Sequence, residues 1–199
     1  MIKAVLFDYG GVLSPGGKNI TRIFAQLLGV SEEQVKFADI HQDFRRGDIS
    51  AEEFFIRLSA QNGKTVTAED FVKLSDIFVK NQAVYQLAEQ LRQHQITTGI
   101  LSNVYQMSAD ILRKDGYYQG FDPIITSCET GLAKPDPAFY KLAIERVGCA
   151  PQEILFIDDQ DKCLPPAQAL GMHVIKAESE EQIVKDTKKL LVQENGLAL

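Results

Sequence analysis

Short apolar runs recur along this chain, and each of them ends in polar residues. The clearest are "KAVLFD" (3–8), "ITTGILSN" (96–103) and "EILFIDD" (153–159), and shorter ones are "PIITS" (123–127) and "MHVIKA" (172–177). Continuous apolar runs of this length are typical of strands that are buried on both faces of a sheet. The pattern therefore predicts three buried strands and two shorter ones.

Between these runs, apolar residues recur at helical spacing. The segment 81–95 has this spacing, and "DPAFYKLAIERVG" (136–148) also carries signals for both helix ends. Asp136 is placed to be the N-cap, Pro137 takes the first helical position and Gly148 follows the last turn. Strands that alternate with helices predict an α/β fold, in which helices cover both faces of a mainly parallel sheet.

One long interval, from Asp8 to Ile96, contains no convincing strand. A simple crossover between parallel strands needs far less chain than this. The interval carries four helical patterns of its own, at 19–30, 31–47, 50–63 and 67–80. We predict a helical cap over 16–80, inserted into a core formed by 1–15 and 81–199. The alternative is an extra helical layer packed on the sheet.

Composition narrows the class of function. The chain has 199 residues, 45% of them hydrophobic, and a net charge of -6 with no block of basic residues. Binding to nucleic-acid phosphates needs clustered Lys and Arg, so we expect no nucleic-acid partner. No apolar run approaches the length of a membrane span, and "AVLF" is too short for a signal-peptide core. We expect a cytoplasmic protein, without a membrane partner, that is a monomer or weak dimer.

The three cysteines give no sign of a cross-linked or metal-bound framework. Cys128, Cys149 and Cys163 are odd in number and widely spaced. Zinc clusters and disulfide frameworks need closer or paired spacings. We expect buried free thiols, in keeping with a reducing compartment.

Reactive or polar side chains stand at the ends of three predicted strands. Asp8 ends the first, Ser102 and Asn103 end the second, and the pair Asp158 and Asp159 ends the fourth. Each of these alone is an ordinary cap or turn residue. Together they lie at one end of one predicted sheet, and ligands of open parallel sheets bind beyond the carboxyl ends of the strands.

Lys134, in the loop "GLAKPDP", completes a set of groups that suits phosphoryl transfer. Carboxylates brought together repel, and Mg²⁺ relieves the repulsion because it takes oxygen ligands and keeps waters for a substrate phosphate. Asp8 then stays ionised and can attack as a nucleophile, giving an aspartyl-phosphate. Ser102 could hydrogen-bond a phosphoryl oxygen, and Lys134 could neutralise charge that accumulates in the transition state.

Four ordered motifs, "FDYGGVL", "ILSN", "GLAKPDP" and "FIDDQ", resemble those of the haloacid dehalogenase superfamily of hydrolases, from residue 5 to about residue 175. The resemblance implies a Rossmann-like core with a small helical cap inserted after the first strand. It implies that Asp8 is the nucleophile, Ser102 the phosphate-binding hydroxyl and Lys134 the charge-neutralising lysine.

The same resemblance implies where Mg²⁺ binds. Asp159 and Asp8 match direct ligands of the metal, and Asp158 matches a group that acts through water or from just behind the ligands. The backbone carbonyl of Gly10 would also face the metal. We also expect the substrate to contact Asn103, which follows Ser102, and Gly11, which follows Gly10.

The departure from the family pattern is Gly10. Most phosphatases of the superfamily have a second aspartate there, which protonates the leaving oxygen and later activates water, help that is worth roughly 10²–10⁴-fold. Some members, including sugar-phosphate phosphatases, have glycine instead. Glycine would also let the backbone turn tightly so that its carbonyl reaches the metal. We predict a slow or selective Mg²⁺-dependent phosphatase acting on a small phosphorylated metabolite, such as a sugar phosphate.

Three other readings stay open at this point. A carbon–halogen hydrolase needs no proton donor, but such enzymes replace the acidic pair of the fourth motif and work without metal. A non-catalytic descendant would bind phosphate or a protein partner. A receiver domain also combines acids, Ser or Thr, Lys and Mg²⁺, but its acidic pair comes early, whereas here the single Asp8 comes first.

The predicted cap is expected to choose the substrate. Its most polar segment is "HQDFRRGDIS" (41–50). His41, Arg45 or Arg46 could face the entrance and meet an anionic or hydroxylated substrate. Taken one at a time, each of the three is expected to be a solvated residue near a helix end.

Overall fold

The centre of the molecule is a five-stranded parallel sheet. The computed structural model describes residues 1–15, 20–35, 40–72 and 78–197. The strands are β1 (Ala4–Phe7), β2 (Thr97–Ser102), β3 (Ile124–Thr126), β4 (Ile154–Asp158) and β5 (His173–Lys176). Their spatial order is β3-β2-β1-β4-β5, and all neighbours pair in parallel. The predicted strands and the Rossmann-like α/β fold are confirmed, and the order places the carboxyl end of β1 at the middle of one edge.

Helices cover both faces of this sheet. In the described parts of the chain they are α1 (Ile20–Leu28), α2 (Ile40–Arg46), α3 (Ala51–Asn62), α4 (Ala68–Val72), α5 (Gln82–Gln93), α6 (Gln106–Lys114), α7 (Ser127–Thr130), α8 (Pro137–Val147), α9 (Leu164–Ala169) and α10 (Glu180–Asn195). α5, α6 and α10 pack on the face that presents Val5 and Phe7. α8 and α9 pack on the opposite face, which presents Leu6. No helix of the described chain combines the length and the apolar character that crossing a membrane requires.

The segment between β1 and β2 has an apolar cluster of its own. Helices α1 to α4 bury phenylalanines against one another, and Tyr105, which precedes α6, joins them. The ring of Phe44 stacks on that of Phe54 with centroids 4.2 Å apart, and on that of Tyr105 at 4.7 Å. The described residues of this segment contain no strand, as predicted. The division into a cap of 16–80 and a separate core stays a prediction.

The helical pattern over 31–47 gives two elements rather than one. A single 3₁₀ turn spans Glu32–Gln34, and α2 begins only at Ile40. The predicted positions at 36–39, like those at 16–19 and 73–77, lie outside the described residues.

The three cysteines are free thiols, as expected. Cys163 is buried, whereas Cys128 and Cys149 are only half-buried. The expectation of burial is therefore wrong for these two. Cys128 lies in the short helix α7, and Cys149 lies two residues after the end of α8.

Candidate active site

The carboxyl ends of the central strands bring the predicted reactive side chains together. Asp8 directly follows β1, Ser102 ends β2 and Asp158 ends β4, and all three are buried. The loop between α7 and α8 carries Lys134, also buried, to the same point. The topology thus assembles residues that are far apart in sequence at one edge of the sheet.

Lys134 bridges two of the carboxylates. Its Nζ lies 2.9 Å from Oδ1 of Asp8 and 2.5 Å from Oδ2 of Asp158. Burial alone would lower the pKa of Lys134, but the charges of Asp8 and Asp158 outweigh burial and hold the pKa above its usual value. The side chain is therefore a buried ammonium that stays charged at neutral pH.

Asp8, Asp158 and Asp159 form an acidic cluster in which one oxygen of each lies within 4.8 Å of the others. Burial raises the pKa of Asp159 to about 6, and the charges of Asp8 and Asp158 act in the same direction. Its Oδ1 is buried and finds no hydrogen-bond partner among the described residues. Burial also raises the pKa of Asp158, although Lys134 opposes the shift.

These observations fit a divalent cation at the cluster. One ammonium does not balance three carboxylates that are withdrawn from water. A hard cation such as Mg²⁺ takes carboxylate oxygens as ligands and would satisfy the partnerless Oδ1 of Asp159. The residues present therefore have the charge and the donor type that Mg²⁺ requires.

Gly11 is required by the close approach of Asp159. Its φ is 78°, in the left-handed region, and its N–H donates to the carbonyl of Ser14 at 2.9 Å. A Cβ at this position would stand 2.4 Å from Cγ of Asp159. Glycine alone satisfies both the backbone and the space. The tight turn that was predicted at Gly10 is thus at Gly11, because Gly11 is the glycine of the two that has a left-handed backbone.

Gly10 has space around it. A Cβ on this residue would meet no heavy atom within 4 Å, and its φ lies outside the left-handed region. The residue is exposed on the floor of the cleft described below. A side chain could therefore be accommodated here without a clash, so Gly10 is not explained by packing.

Asn103 holds the loop that carries Lys134. Its Nδ2 donates to the carbonyl of Lys134 and its Oδ1 accepts from the backbone N–H of Lys134, both at 2.8 Å. This reciprocal pair fixes the lysine backbone to the end of β2. This positioning role was not predictable from local patterns, since the two residues are distant in the chain. Contact of Asn103 or Gly11 with a substrate stays a prediction, although both line the cleft.

A cleft of about 790 Å³ opens above the acidic cluster. It is lined on one side by the sheet edge and on the other by helices α1 and α2. The sheet side includes Asp8, Ser102 and Asp159, and the helix side includes Thr21, His41 and Arg45. The cleft is far larger than a phosphate group, so it has space for the remainder of a small substrate.

His41 and Arg45 lie on the cleft wall. Each is near an end of α2, as expected, but neither is fully solvated. They are four positions apart on α2, so they share one helix face, and both are half-buried. Burial lowers the pKa of His41 to about 4, with Arg45 and Lys162 acting in the same direction, so its imidazole is neutral at neutral pH. Arg46 is exposed outside the cleft, as expected.

Comparison with known proteins agrees with this geometry. A family model described as haloacid dehalogenase-like hydrolase matches residues 2–171. The chain belongs to this family. The predicted resemblance is confirmed, and with it the assignment of the chain as a hydrolase.

Two relatives differ in how much of their own length this chain matches. The chain is 30% identical to acyl-CoA dehydrogenase family member 10 of Mus musculus over 95% of its own length, but it spans only 19% of that relative. It is 26% identical to a sesquiterpene phosphatase of Aspergillus oryzae, over 85% of this chain and 87% of the relative. The second relative is thus a phosphatase of similar extent.

A solved structure adds a metal and a phosphate to the comparison. A haloacid dehalogenase family enzyme from Bacteroides thetaiotaomicron, in complex with magnesium and inorganic phosphate, superposes with a TM-score of 0.75 at 25% identity. The match covers 90% of this chain and 96% of that one. The relative therefore has the same fold over nearly its whole length.

Proposed function

We propose that this protein is a Mg²⁺-dependent phosphatase that hydrolyses a small phosphomonoester through an aspartyl-phosphate on Asp8. The observation that carries the proposal is the position of Asp8, 2.9 Å from the buried ammonium of Lys134 and clustered with Asp158 and Asp159 at the floor of a cleft. The magnesium and phosphate bound by the Bacteroides relative, and the phosphatase relative from Aspergillus, support the choice of phosphate.

The chain's own residues supply the nucleophile and hold it. Oδ1 of Asp8 accepts from Nζ of Lys134 and, at 2.7 Å, from the backbone N–H of Tyr9. These contacts fix the carboxylate in one orientation. Attack by Asp8 on phosphorus breaks the P–O bond to the leaving group, which departs as an alkoxide and takes a proton from water. Water then hydrolyses the aspartyl-phosphate to inorganic phosphate and the free carboxylate. Ser102, which also lines the cleft, would hydrogen-bond a phosphoryl oxygen.

Asp8, Asp158 and Asp159, together with the carbonyl of Gly10, would hold Mg²⁺. When bound, the ion shields the phosphate dianion from the carboxylates and stabilises charge on the transferring group. The buried, partnerless Oδ1 of Asp159 supports a cation at this place.

The proposed substrate is a phosphorylated metabolite, including sugar phosphates, whose leaving group needs little help from a general acid. Gly10 supplies no proton at the position where most phosphatases of the family have an aspartate. Esters with acidic leaving groups depart without protonation, so they are expected to react faster than alkyl phosphates.

The test is a phosphate-release assay on a panel of phosphorylated metabolites, with Mg²⁺ or EDTA, for the native protein and Asp8→Asn. We expect release that requires Mg²⁺ and is lost in Asp8→Asn, since an amide is a poor nucleophile. Asp115→Asn, an exposed carboxylate beyond α6, is the matched control and should keep full activity. Trapping with beryllofluoride should require Asp8.

Three outcomes would contradict the proposal. Undiminished hydrolysis by Asp8→Asn would remove Asp8 as nucleophile. Hydrolysis of a 2-haloacid that survives EDTA would favour the dehalogenase reading. Binding of phosphate without turnover of any ester in the panel would favour a non-catalytic phosphate-binding protein.

A further inference from the structure

The helix side of the cleft carries a guanidinium that has no acidic partner among the residues that the structure describes. Arg45 is half-buried and lines the cleft, and it makes no ion pair with any carboxylate in the described parts of the chain. Arg22 lines the same cleft but is paired, with its Nε 3.2 Å from Oε1 of Glu32. A partly buried charge without a partner is unfavourable unless an ion of opposite sign binds it. Arg45 therefore has the features of a ligand-binding cation.

A second polar group without a partner lies next to Arg45. Tyr105 is 4% exposed, and its buried hydroxyl has no hydrogen-bond partner among the described residues although the residue lines the cleft. Its ring stacks on Phe44, the residue before Arg45, and meets the ring of His41 edge-on at 5.7 Å between centroids. An unpaired buried hydroxyl is unfavourable, and a ligand that reached it from the cleft would supply the missing partner.

The core fixes the backbone that carries Arg45. Oγ of Ser127, fully buried, donates to the carbonyl of Arg45 at 2.7 Å and accepts from the N–H of Val104 at 3.0 Å. Two residues after Arg45, Gly47 approaches so closely that a Cβ would stand 2.7 Å from the carbonyl oxygen of Cys128. The end of α2 is thus anchored to α7, the short helix after β3. This contact holds the backbone of Arg45 in place before a ligand binds, and a preorganised group binds with less loss of entropy.

We infer that Arg45 and Tyr105 form a second anion-binding subsite, which takes a carboxylate or phosphate on the leaving-group side of the substrate. The inference rests on the proposed function, since it places the scissile phosphate at Asp8 on the sheet side. A guanidinium donates two parallel N–H groups to a planar or tetrahedral oxyanion, a geometry that an ammonium does not match. The hydroxyl of Tyr105 donates a third hydrogen bond. The substrate class is therefore a phosphomonoester that carries a second acidic group.

The test measures binding, so that it does not depend on turnover. Calorimetry on Asp8→Asn in Mg²⁺ compares 3-phosphoglycerate with glycerol 3-phosphate, and 6-phosphogluconate with sorbitol 6-phosphate. The two pairs differ in length, and each differs internally in a carboxylate. Glycerol 1,3-bisphosphate tests a phosphate as the second group. In the pair whose length matches the distance across the cleft, the compound with the second acidic group should bind about 10- to 100-fold more tightly than its neutral counterpart. This is the gain expected for hydrogen bonds to charged groups.

Variants assign the preference to these two side chains. Arg45→Gln should abolish the preference for the acidic probe. Binding of the neutral probe should stay within about 2-fold, because only contacts to the second acidic group are removed. Arg46→Gln, on the exposed neighbour, should preserve the preference. Tyr105→Phe keeps the stacked ring and should reduce the preference about 10-fold, the lower end of the range for one hydrogen bond to a charged group. Arg45→Lys keeps the positive charge but not the two parallel N–H donors, so it should keep the preference only in part.

The inference fails if no acidic probe is preferred at either length, or if the preference survives Arg45→Gln. A different result would show that the proposed function is wrong while the subsite is right. An Arg45-dependent preference in a protein that releases phosphate from no probe would establish the subsite and reject the phosphatase.

Discussion

The carboxylate of Asp159 lies directly over the backbone of Gly11. A Cβ on residue 11 would stand 2.4 Å from Cγ and 2.5 Å from Oδ2 of Asp159, and residue 11 also has a left-handed φ of 78°. Two motifs that are far apart in sequence are therefore fitted to each other at this contact. The glycine in the first loop determines where the acid of the last loop can lie.

Gly11→Ala is expected to destabilise the fold and displace Asp159. Gly148→Ala is the matched control, because Gly148 has a φ of 75° but no heavy atom near the position of a Cβ. The control should lose about 1–2 kcal/mol in the free energy of unfolding from backbone strain alone. Gly11→Ala should lose more and should also weaken Mg²⁺ binding. Urea unfolding and calorimetry measure both, and equal losses with unchanged Mg²⁺ affinity would show that the contact is unimportant.

Lys134→Met is expected to destabilise the Mg²⁺-free protein strongly. Removal of the ammonium leaves Asp8 and Asp158 buried without compensation, which typically costs about 3–5 kcal/mol. Lys3→Met removes the ion pair to Glu153 at the surface and should cost far less than Lys134→Met, because exposed ion pairs contribute little to stability. Urea unfolding in EDTA compares the two variants.

The deficit of Lys134→Met should depend on pH in a known direction. Burial raises the folded-state pKa of Asp158 even with Lys134 in place, so without the ammonium its ionised form destabilises the variant, and protonation removes that cost. The deficit is therefore largest at neutral pH and shrinks as the pH falls through that folded-state pKa. A deficit that grows on acidification would contradict the assignment of Lys134 as the compensating charge.

The floor of the site was predictable because strand ends in a parallel sheet share an edge. Asp8, Ser102 and the pair Asp158–Asp159 each follow an apolar run, and the fold brings together whatever follows those runs. Contacts that depend on the docking of separate elements gave no comparable signal. Asn103 acts on the backbone of Lys134, and the orientation of Arg45 depends on how α2 meets Ser127.

The end of the chain shows the same limit. α10 has ordinary helix-end signals in Ser179 and Gly196, but they do not show where the helix packs. Its last turn is held by Asn195, whose Oδ1 accepts from the N–H of Ile2 at 2.7 Å and whose Nδ2 donates to the carbonyl of Ile2 at 2.8 Å. Those partners stand at opposite ends of the sequence. Local patterns carry no information about such a pairing.

Arg45→Gln is expected to raise the pKa of His41 from about 4. Burial is the first cause of the low value and is unchanged, so the pKa should stay below 6.5, but one repelling charge is removed. NMR titration of the imidazole measures the shift, with Arg46→Gln as the control. An unchanged pKa in Arg45→Gln would place the guanidinium too far from His41 to act on it.

The same imidazole predicts an acid sensitivity of the fold. Its folded-state pKa is below the unfolded value, so the unfolded chain takes up the proton first, and stability falls as the pH drops from about 6.5 to about 4. His41→Gln removes this titration and should flatten the fall in that window. Urea unfolding at several pH values compares the two proteins, and parallel curves would contradict the prediction.

Gly10→Asp is expected to raise the turnover of alkyl phosphates selectively. The structure permits the substitution, because a Cβ here meets no heavy atom within 4 Å and the backbone is outside the left-handed region. The added carboxyl would stand at the position where most phosphatases of the family have their acid, and general acid help is worth about 10²–10⁴-fold. Gly10→Asn adds a side chain of the same size that transfers no proton. This variant therefore distinguishes the effect of proton transfer from the effect of side-chain size.

The measurement is the slope of log(kcat/KM) against the pKa of the leaving group. The native protein and Gly10→Asn should both show a steep negative slope, because each unprotonated alkoxide leaves more slowly as its basicity rises. Gly10→Asp should flatten the slope by accelerating alkyl phosphates while leaving p-nitrophenyl phosphate nearly unchanged. A flat slope in the native protein would mean that another group, on the cleft wall or in the substrate, already donates the proton. Gly10 would then have no consequence for the mechanism.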